Sequence, residues 1–122
     1  MIRQRRAYDS PEARDGERFL VERLWPRGVT REAAHLSGWL WDLAPSTALR
    51  QWFGHDPARW AEFQKRYEAE LEMPEKEPLL RELADKARRG AVTFVYAAKD
   101  REHSSAVVLR RLVERRSLGR SK

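Results

Sequence analysis

Residues 91–97 read Ala-Val-Thr-Phe-Val-Tyr-Ala, a short apolar run that predicts the clearest strand in the chain. The run follows Arg88-Arg89-Gly90, which is typical of the end of a helix. Asp100 comes shortly after it and predicts the cap of a last helix with one apolar face. A helix, a buried strand and a second helix in succession indicate an α/β fold.

Two further strands are predicted before this unit. Ile2 to Tyr8 reads as the first strand and Glu17 to Leu24 as the second, with a polar loop over residues 9–16 between them. The long segment that follows residue 28 has helical periodicity. This order predicts a single α/β domain over residues 1–122, a sandwich in which the second and third strands are parallel and joined by a right-handed crossover. The last few residues are predicted to be a basic, disordered tail.

Clear start and stop signals divide the helical segment. Ser46 predicts the start of a short helix that ends before Gly54. Asp56-Pro57 predicts the start of the next helix, because aspartate accepts the free amide donors and proline fits the first helical position. That helix has an aromatic and aliphatic stripe, interpreted as core, at Trp60, Phe63, Tyr67 and Leu71.

The break after the second predicted strand indicates a binding site. Residues 22–28 read Glu-Arg-Leu-Trp-Pro-Arg-Gly, and Pro26 ends the strand because it cannot donate to a sheet ladder. Arg27 falls on the turn that follows, and its fixed donors suit a carboxylate or a phosphate. The alternative is structural: Trp25 fills the core and Arg23 pairs with a nearby glutamate.

Polar side chains follow the carboxyl ends of two predicted strands, where ligands bind in open α/β sheets. If these strands are neighbours, one crevice collects Arg23, Arg27, Lys99, Asp100 and His103. The amino end of the last helix would add free amides and a positive dipole. We therefore expect the crevice to bind an anion.

The middle of the chain offers a second group of candidates. Ser46, Thr47 and Arg50 lie on one predicted helical turn and suit an anion clamp, although Ser46 could simply cap the helix. His55 could act as a general acid or base, or as a loop histidine bonded to a carbonyl. His103, predicted in the first turn of the last helix, could act as a base or donor or lie unengaged on the surface. With Asp100, these two histidines are the catalytic candidates.

Composition excludes several classes of protein. The chain has no cysteine, which rules out thiol nucleophiles, disulfides and thiolate metal sites and fits a cytoplasmic protein. No apolar run is long enough to span a bilayer, and no signal peptide, P-loop, GxGxxG or metal-ligand spacing is found, so we expect no membrane partner, cofactor or metal.

The net charge of +6 comes from 25 basic and 19 acidic residues. The basic excess is concentrated at the two ends: Arg3, Arg5 and Arg6, and Arg110, Arg111, Arg115, Arg116, Arg120 and Lys122. An anionic partner, with nucleic acid as the obvious candidate, is predicted.

Three segments carry a family resemblance. ERLWPRG, LAPSTALRQWFGHDP and YAAKDREH, in this order and spacing, resemble the signature blocks of the domain-of-unknown-function 488 family, in particular its short YeaO-like branch. The resemblance extends from about Ile2 to Arg116. It implies a small Rossmann-like sandwich, a short and mostly parallel sheet flanked by helices, and implies no established activity.

The family's recurring polar and aromatic positions can be carried over by resemblance. They fall on Arg23, Trp25, Arg27, Ser46, Thr47, Arg50, Trp52, Phe53, His55, Arg66, Tyr67, Tyr96, Asp100 and His103. Tyr96 joins the predicted ligand-binding residues on this basis alone. The chain departs from the family pattern after His103, where Ser104 and Ser105 replace the usual asparagine.

Two classes of function fit these residues, and the sequence does not decide whether the protein is an enzyme. The first is a module that binds nucleic acid or a nucleotide-like phosphate, with arginines on phosphate and Trp25 or Trp52 stacked on a base. The second is a small hydrolase of a phosphate- or nucleoside-containing substrate, with His103 or His55 moving a proton. A third interpretation is an interaction protein that uses its tryptophans as an interface.

Overall fold

A four-stranded, all-parallel sheet organises the molecule. The structure, a computed structural model, describes residues 2–119. The strand order is β1 (Ile2–Arg6), β4 (Val92–Tyr96), β2 (Glu17–Leu20) and β3 (Gly38–Trp39). Strand β4 pairs with β1 on one side and with β2 on the other, and all five of its residues are buried. The predicted α/β class and the predicted parallel pairing of the strands now labelled β2 and β4 are therefore confirmed.

Five helices lie within residues 2–119. They are α1 (Arg31–Ala34), α2 (Thr47–Phe53), α3 (Trp60–Leu71), α4 (Glu77–Arg89) and α5 (Ser105–Gly119). Single 3₁₀ turns occur at Ala13–Asp15, Trp41–Leu43, Pro57–Arg59 and Pro74–Lys76. Within residues 2–119, no helix combines the length and apolar composition needed to cross a bilayer.

The predicted helix signals operate as expected. The Ser46 hydroxyl accepts the amide N–H of Leu49 at 3.2 Å, and Gly54 ends α2 with a left-handed φ of 53°. The Asp56 carboxylate accepts the amide of Ala58 at 3.0 Å, which starts the 3₁₀ turn that leads into α3. These local contacts determine where α2 ends and α3 begins.

The two faces of the sheet are covered differently. Val92, Phe94 and Tyr96 point to the main core, which they share with buried side chains of α2 to α5. Val95 points to the opposite face and joins a small cluster covered by the segment that contains Trp25, Val29 and Leu36. The predicted stripe on α3 lies in the main core: Phe63, Tyr67 and Leu71 are buried and Trp60 packs against them.

Several elements differ from the prediction, and the first of them, β1, ends at Arg6 rather than at Tyr8. Strand β2 ends at Leu20 rather than Leu24, because the Glu22 carboxylate accepts the amide N–H of Ala97 at 2.9 Å after the last sheet bond from Val21. Strand β3 was not predicted, since it is two residues long and starts with glycine. Tertiary pairing creates it: the amides of Ser37 and Leu40 donate to β2 carbonyls.

The last helix also starts later than predicted. It begins at Ser105, not next to Asp100. The Asp100 carboxylate accepts the amides of Glu102 and His103, at 3.0 and 3.1 Å, and so forms a turn before the helix. His103 therefore precedes α5, and the prediction that it lies in the first helical turn is wrong. The predicted tail at residues 120–122 lies outside the described residues.

Candidate functional site

A cavity of about 580 Å³ opens at the carboxyl ends of β2 and β4. Residues 22–27, which follow β2, form one wall, and residues 97–100 and 103–105, in the connection from β4 and at the start of α5, contribute another. The remaining wall comes from the α2 region and from Phe63 of α3. This is the edge of an α/β sheet at which ligands bind.

Eight of the residues predicted for the site line this cavity: Arg23, Trp25, Arg27, Arg50, His55, Lys99, Asp100 and His103. Two distant parts of the sequence and the α2 region meet here because β2 and β4 are hydrogen-bonded neighbours. The placement of these side chains around one concavity follows from the fold. Their roles in binding or catalysis remain predictions.

Three other predicted residues lie outside the cavity, and at the start of α2, where an anion clamp was predicted, Ser46 already bonds to a carboxylate. The Glu70 carboxylate already occupies that position, accepting the Ser46 amide at 2.9 Å and the Ser46 hydroxyl at 2.6 Å. Thr47 is exposed outside the cavity. Tyr96 is 1% exposed and belongs to the core.

The cations of the cavity have few partners. Arg23 donates to the carbonyls of Pro45 and Ala44, at 2.9 and 3.3 Å, so the predicted pairing with a glutamate is replaced by main-chain contacts. Arg27, Arg50 and Lys99 make no side-chain hydrogen bond or ion pair with any residue of the described range 2–119. The Nε atom of Arg50 is buried without a partner there. Buried donors without acceptors are rare in folded proteins.

Glu22 is a site residue that the sequence interpretation missed. Burial raises the pKa of its carboxyl, although the Ala97 amide and the charges of His55 and Arg50 act in the opposite direction. The carboxylate accepts the Ala97 amide and forms no salt bridge within the described part of the chain. An acid placed immediately after an apolar strand and before the Trp-Pro break could have indicated it.

Asp100 and His103 form a hydrogen-bonded pair on the cavity wall. The Nδ1 atom of His103 lies 2.7 Å from Oδ2 of Asp100. This hydrogen bond is the main reason that the pKa of the Asp100 carboxyl is lowered. The edge of Trp60 packs on the imidazole, with ring centroids 5.2 Å apart. The carboxylate and the indole together orient the ring of His103.

His55 lies in the loop after α2 with a left-handed φ of 58°. It is exposed, lines the cavity and packs 6.1 Å from the ring of Phe53. A non-glycine residue in this conformation is uncommon, and such residues cluster at functional sites. Its position permits contact with a ligand at the cavity entrance.

Ser104 is a second residue that the sequence interpretation did not assign to the site. It directly precedes α5, lines the cavity and is 3% exposed. Its hydroxyl is buried and has no hydrogen-bond partner among residues 2–119. The sequence interpretation noted it only as a departure from the family pattern, because the last helix was predicted to start at Asp100 and Ser104 therefore fell within that helix.

Aromatic and apolar side chains form the rest of the wall. Phe53 and Phe63 are buried and stacked with ring centroids 4.3 Å apart. Trp25 is half-buried: its indole N–H donates to the Val29 carbonyl at 2.6 Å, and its ring meets that of Trp39 edge-on. Trp52 lies outside the cavity, with the guanidinium groups of Arg59 and Arg66 over its ring.

Sequence comparison identifies the family. The model of a family described as "Inactive DUF488-N3 subclade" matches residues 1–121. The chain belongs to the domain-of-unknown-function 488 family. This confirms the family predicted from the three sequence blocks.

Within the described residues, no group of three or more histidine, aspartate or glutamate side chains lies close enough together to hold a metal ion.

Relatives within the family cover nearly the whole chain. Uncharacterized protein YeaO of Escherichia coli (strain K12) is 40% identical over 108 residues, which cover 88% of this chain and 92% of the relative. Uncharacterized protein Rv3073c of Mycobacterium tuberculosis (strain ATCC 25618 / H37Rv) is 37% identical over 115 residues, 94% of this chain and 95% of the relative. The comparison with solved structures gives no significant match.

Proposed function

We propose that this family member binds a small organic anion, of which a nucleotide-like phosphate is the simplest example, in the cavity at the carboxyl ends of β2 and β4. One observation carries the proposal. The side chains of Arg27, Arg50 and Lys99 line the same cavity, and none of the three has a hydrogen bond or ion pair within residues 2–119. Guanidinium and ammonium groups without partners suit a phosphate or carboxylate.

The composition of the wall favours an organic ligand over a bare inorganic ion. Phe53, Phe63 and Trp25 contribute aromatic surface beside the cations. A volume of about 580 Å³ falls in the range of small-molecule sites, which combine apolar walls with a few polar groups. A ligand with a planar apolar group and an anionic group uses both kinds of surface.

The pairing of the basic ends argues against nucleic acid as the ligand. Arg3 and Arg5 form ion pairs with Glu12, and Arg115 and Arg116 pair with Glu68 and Glu77. Arg6 donates to the carbonyls of Ala97 and Ala98. A nucleic-acid surface needs cations that can neutralise phosphates. Exposed arginine–glutamate ion pairs compete with the binding of phosphates by the same arginines.

Binding is also better supported than catalysis. The matching subclade is described as inactive, and we extend that description to this chain as part of the proposal. The opposing observation is the Asp100–His103 pair, which has the geometry of an oriented general base. We assign His103 to ligand contact, and a small hydrolase is the second candidate. A cytoplasmic location, predicted from the sequence, is part of the same proposal.

Calorimetric titration with adenosine monophosphate and adenosine tests the central claim, since the two ligands differ only in the phosphate. We expect the nucleotide to bind and the nucleoside to bind at least about tenfold more weakly. Arg27→Ser, Arg50→Gln and Lys99→Ser should each lower affinity for the nucleotide by roughly 10- to 100-fold, the usual range for a charged hydrogen bond.

Lys65 and Arg89 provide matched controls. Both are exposed and lie outside the cavity, and their side chains also have no hydrogen bond or ion pair within residues 2–119. Lys65→Ser and Arg89→Ser remove the same charge and should change affinity by less than about twofold, because exposed charges are screened. Equal losses in the cavity and control variants would contradict a specific site.

Two further measurements separate the alternatives. Tight oligonucleotide binding with a steep salt dependence that Arg115→Ser and Arg116→Ser reduce would instead support nucleic acid. Turnover of p-nitrophenyl phosphate that His103→Ala abolishes would support the hydrolase. We expect neither result.

A further inference from the structure

Glu22 is difficult to explain in a cavity that only binds an anion. A carboxylate beside Arg50 and His55 weakens the positive potential that an anionic ligand requires. It is also costly to the free protein, because burial raises its pKa and none of the described residues forms a salt bridge with it. Some other role is needed to account for it.

The hydrogen bonds of Glu22 leave acceptor capacity on the cavity side. Its Oε2 atom accepts the Ala97 amide at 2.9 Å, and Oε1 has no hydrogen bond with the described residues. An ionised carboxylate provides about four lone-pair sites. Acceptor sites therefore remain for a donor that enters the cavity.

Two other polar atoms of the same cavity are also without partners. The Ser104 hydroxyl oxygen and the Arg50 Nε atom are buried, and neither forms a hydrogen bond with residues 2–119. Ser104 itself is 3% exposed. Buried polar groups are almost always satisfied, so an orphaned hydroxyl, an orphaned guanidinium nitrogen and an unpaired carboxylate in one cavity indicate a ligand with several polar groups.

We infer that the ligand carries an N–H or O–H donor in addition to its anionic group, and that the Glu22 carboxylate accepts this donor while Arg27, Arg50 and Lys99 hold the anion. The inference rests on the proposed function. It narrows the ligand class to anions that are also hydrogen-bond donors, such as amino-substituted aromatic phosphates. Ser104, with a hydroxyl that can donate or accept, is assigned to the same ligand.

The test compares phenyl phosphate with its ortho-, meta- and para-amino derivatives, which place one donor at three distances from the phosphate. Calorimetry on the wild-type protein should show at least one amino isomer binding about tenfold or more tightly than phenyl phosphate. Glu22→Gln should abolish this preference. The amide oxygen must still accept the Ala97 N–H, so the NH₂ group faces the cavity and opposes the donor of the ligand.

Glu22→Gln should change the affinity for phenyl phosphate, which has no amine, in the opposite direction. The affinity of the variant for phenyl phosphate should rise a few-fold, because a negative charge has been removed from an anion site. Glu82→Gln, at an exposed acid on α4 outside the cavity, is the matched control and should alter neither affinity. Circular dichroism on both variants checks that they are folded.

Each outcome has a distinct meaning. Opposite changes for the two kinds of phosphate support the inference. Glu22→Gln raising the affinity of all four phosphates overturns it, and leaves the anion site intact provided that Lys99→Ser still weakens binding. Failure of every phosphate, and of adenosine monophosphate, to bind the wild-type protein overturns both the anion site and the inference.

Discussion

The two ends of the sheet contain the same kinds of charged residue, but these residues differ in how many hydrogen-bond and ion-pair partners they have. At the amino ends, Asp15 is fully buried and accepts hydrogen bonds from Arg3, Arg18 and the Glu12 amide, at 2.7, 2.6 and 3.1 Å. At the carboxyl ends, Glu22 accepts one main-chain amide and forms no salt bridge with the described residues. Both carboxylate oxygens of the first acid accept hydrogen bonds, whereas Oε1 of the second accepts none from the described residues.

The arginines at the two ends of the sheet also differ in their number of partners. Arg18 is 3% exposed and donates to Asp15 and to the Ala34 carbonyl, with only its Nη2 atom unsatisfied within residues 2–119. The side chain of Arg50, on the opposite edge, has no hydrogen bond or ion pair with the same described residues. A saturated polar network stabilises the fold, and an unsaturated one is available to a ligand. The comparison therefore distinguishes charges that are paired within the protein from charges that are not.

Removing the buried acid at the amino ends of the strands should have the largest effect on the free energy of unfolding. We expect Asp15→Asn to lower the free energy of unfolding by about 3–5 kcal/mol, because Arg18 is left buried without its counter-charge. Urea denaturation followed by circular dichroism measures the change. Glu12→Gln, at an exposed acid of the same cluster, is the control and should have a much smaller effect. A loss under about 1 kcal/mol for Asp15→Asn would mean that this network is not structural.

Two serines next to helices give the next comparison. Ser46 caps α2 and donates to Glu70, so Ser46→Ala should lower the free energy of unfolding by about 1–2 kcal/mol. Ser104 precedes α5, but its hydroxyl makes no bond with the described residues, so Ser104→Ala should be neutral or stabilise by up to about 1 kcal/mol. Thermal unfolding of the two variants side by side provides the measurement. Equal losses would show that Ser104 also acts as a cap.

The pH dependence of stability should show the smallest effect, with opposite signs at the two ends. Burial raises the pKa of the Glu22 carboxyl above its ordinary value of 4.5, so its contribution to stability is present below that value and is lost as pH rises through the folded-state pKa. The stability of Glu22→Gln relative to the wild type should therefore increase as the pH is raised above 4.5. Urea titrations at a series of pH values measure this difference, and a constant difference would contradict the raised pKa.

Asp15 should behave in the opposite way. Burial acts to raise its pKa, but the Glu12 amide and the Arg18 guanidinium outweigh burial, and the pKa is lowered from 3.8. Its contribution is present above that value and is lost as the pH falls through the folded-state pKa. Carboxyl NMR titration of both residues in one sample checks the two directions together. A raised pKa at Asp15 would remove the electrostatic contrast between the two ends.

Much of this molecule could be predicted from the sequence because the deciding signals are local. The apolar run at residues 91–97 predicted β4, and Ser46, Gly54 and Asp56-Pro57 predicted the limits of α2 and the start of the next helical segment. The strand ends also led to the right edge of the sheet for the cavity, since ligand position in an α/β fold depends on topology.

Tertiary structure decided what depends on distant partners. Strand β3 exists only because β2 accepts its hydrogen bonds, and β2 ends where the Glu22 carboxylate takes the next amide of β4. In the sequence, Arg3 and Arg50 are equivalent cations, and Ser46 and Ser104 are equivalent hydroxyl side chains. Which of them is already hydrogen-bonded depends on residues that are far away in the chain. The division between a structural charge and one available to a ligand is therefore a property of the folded arrangement.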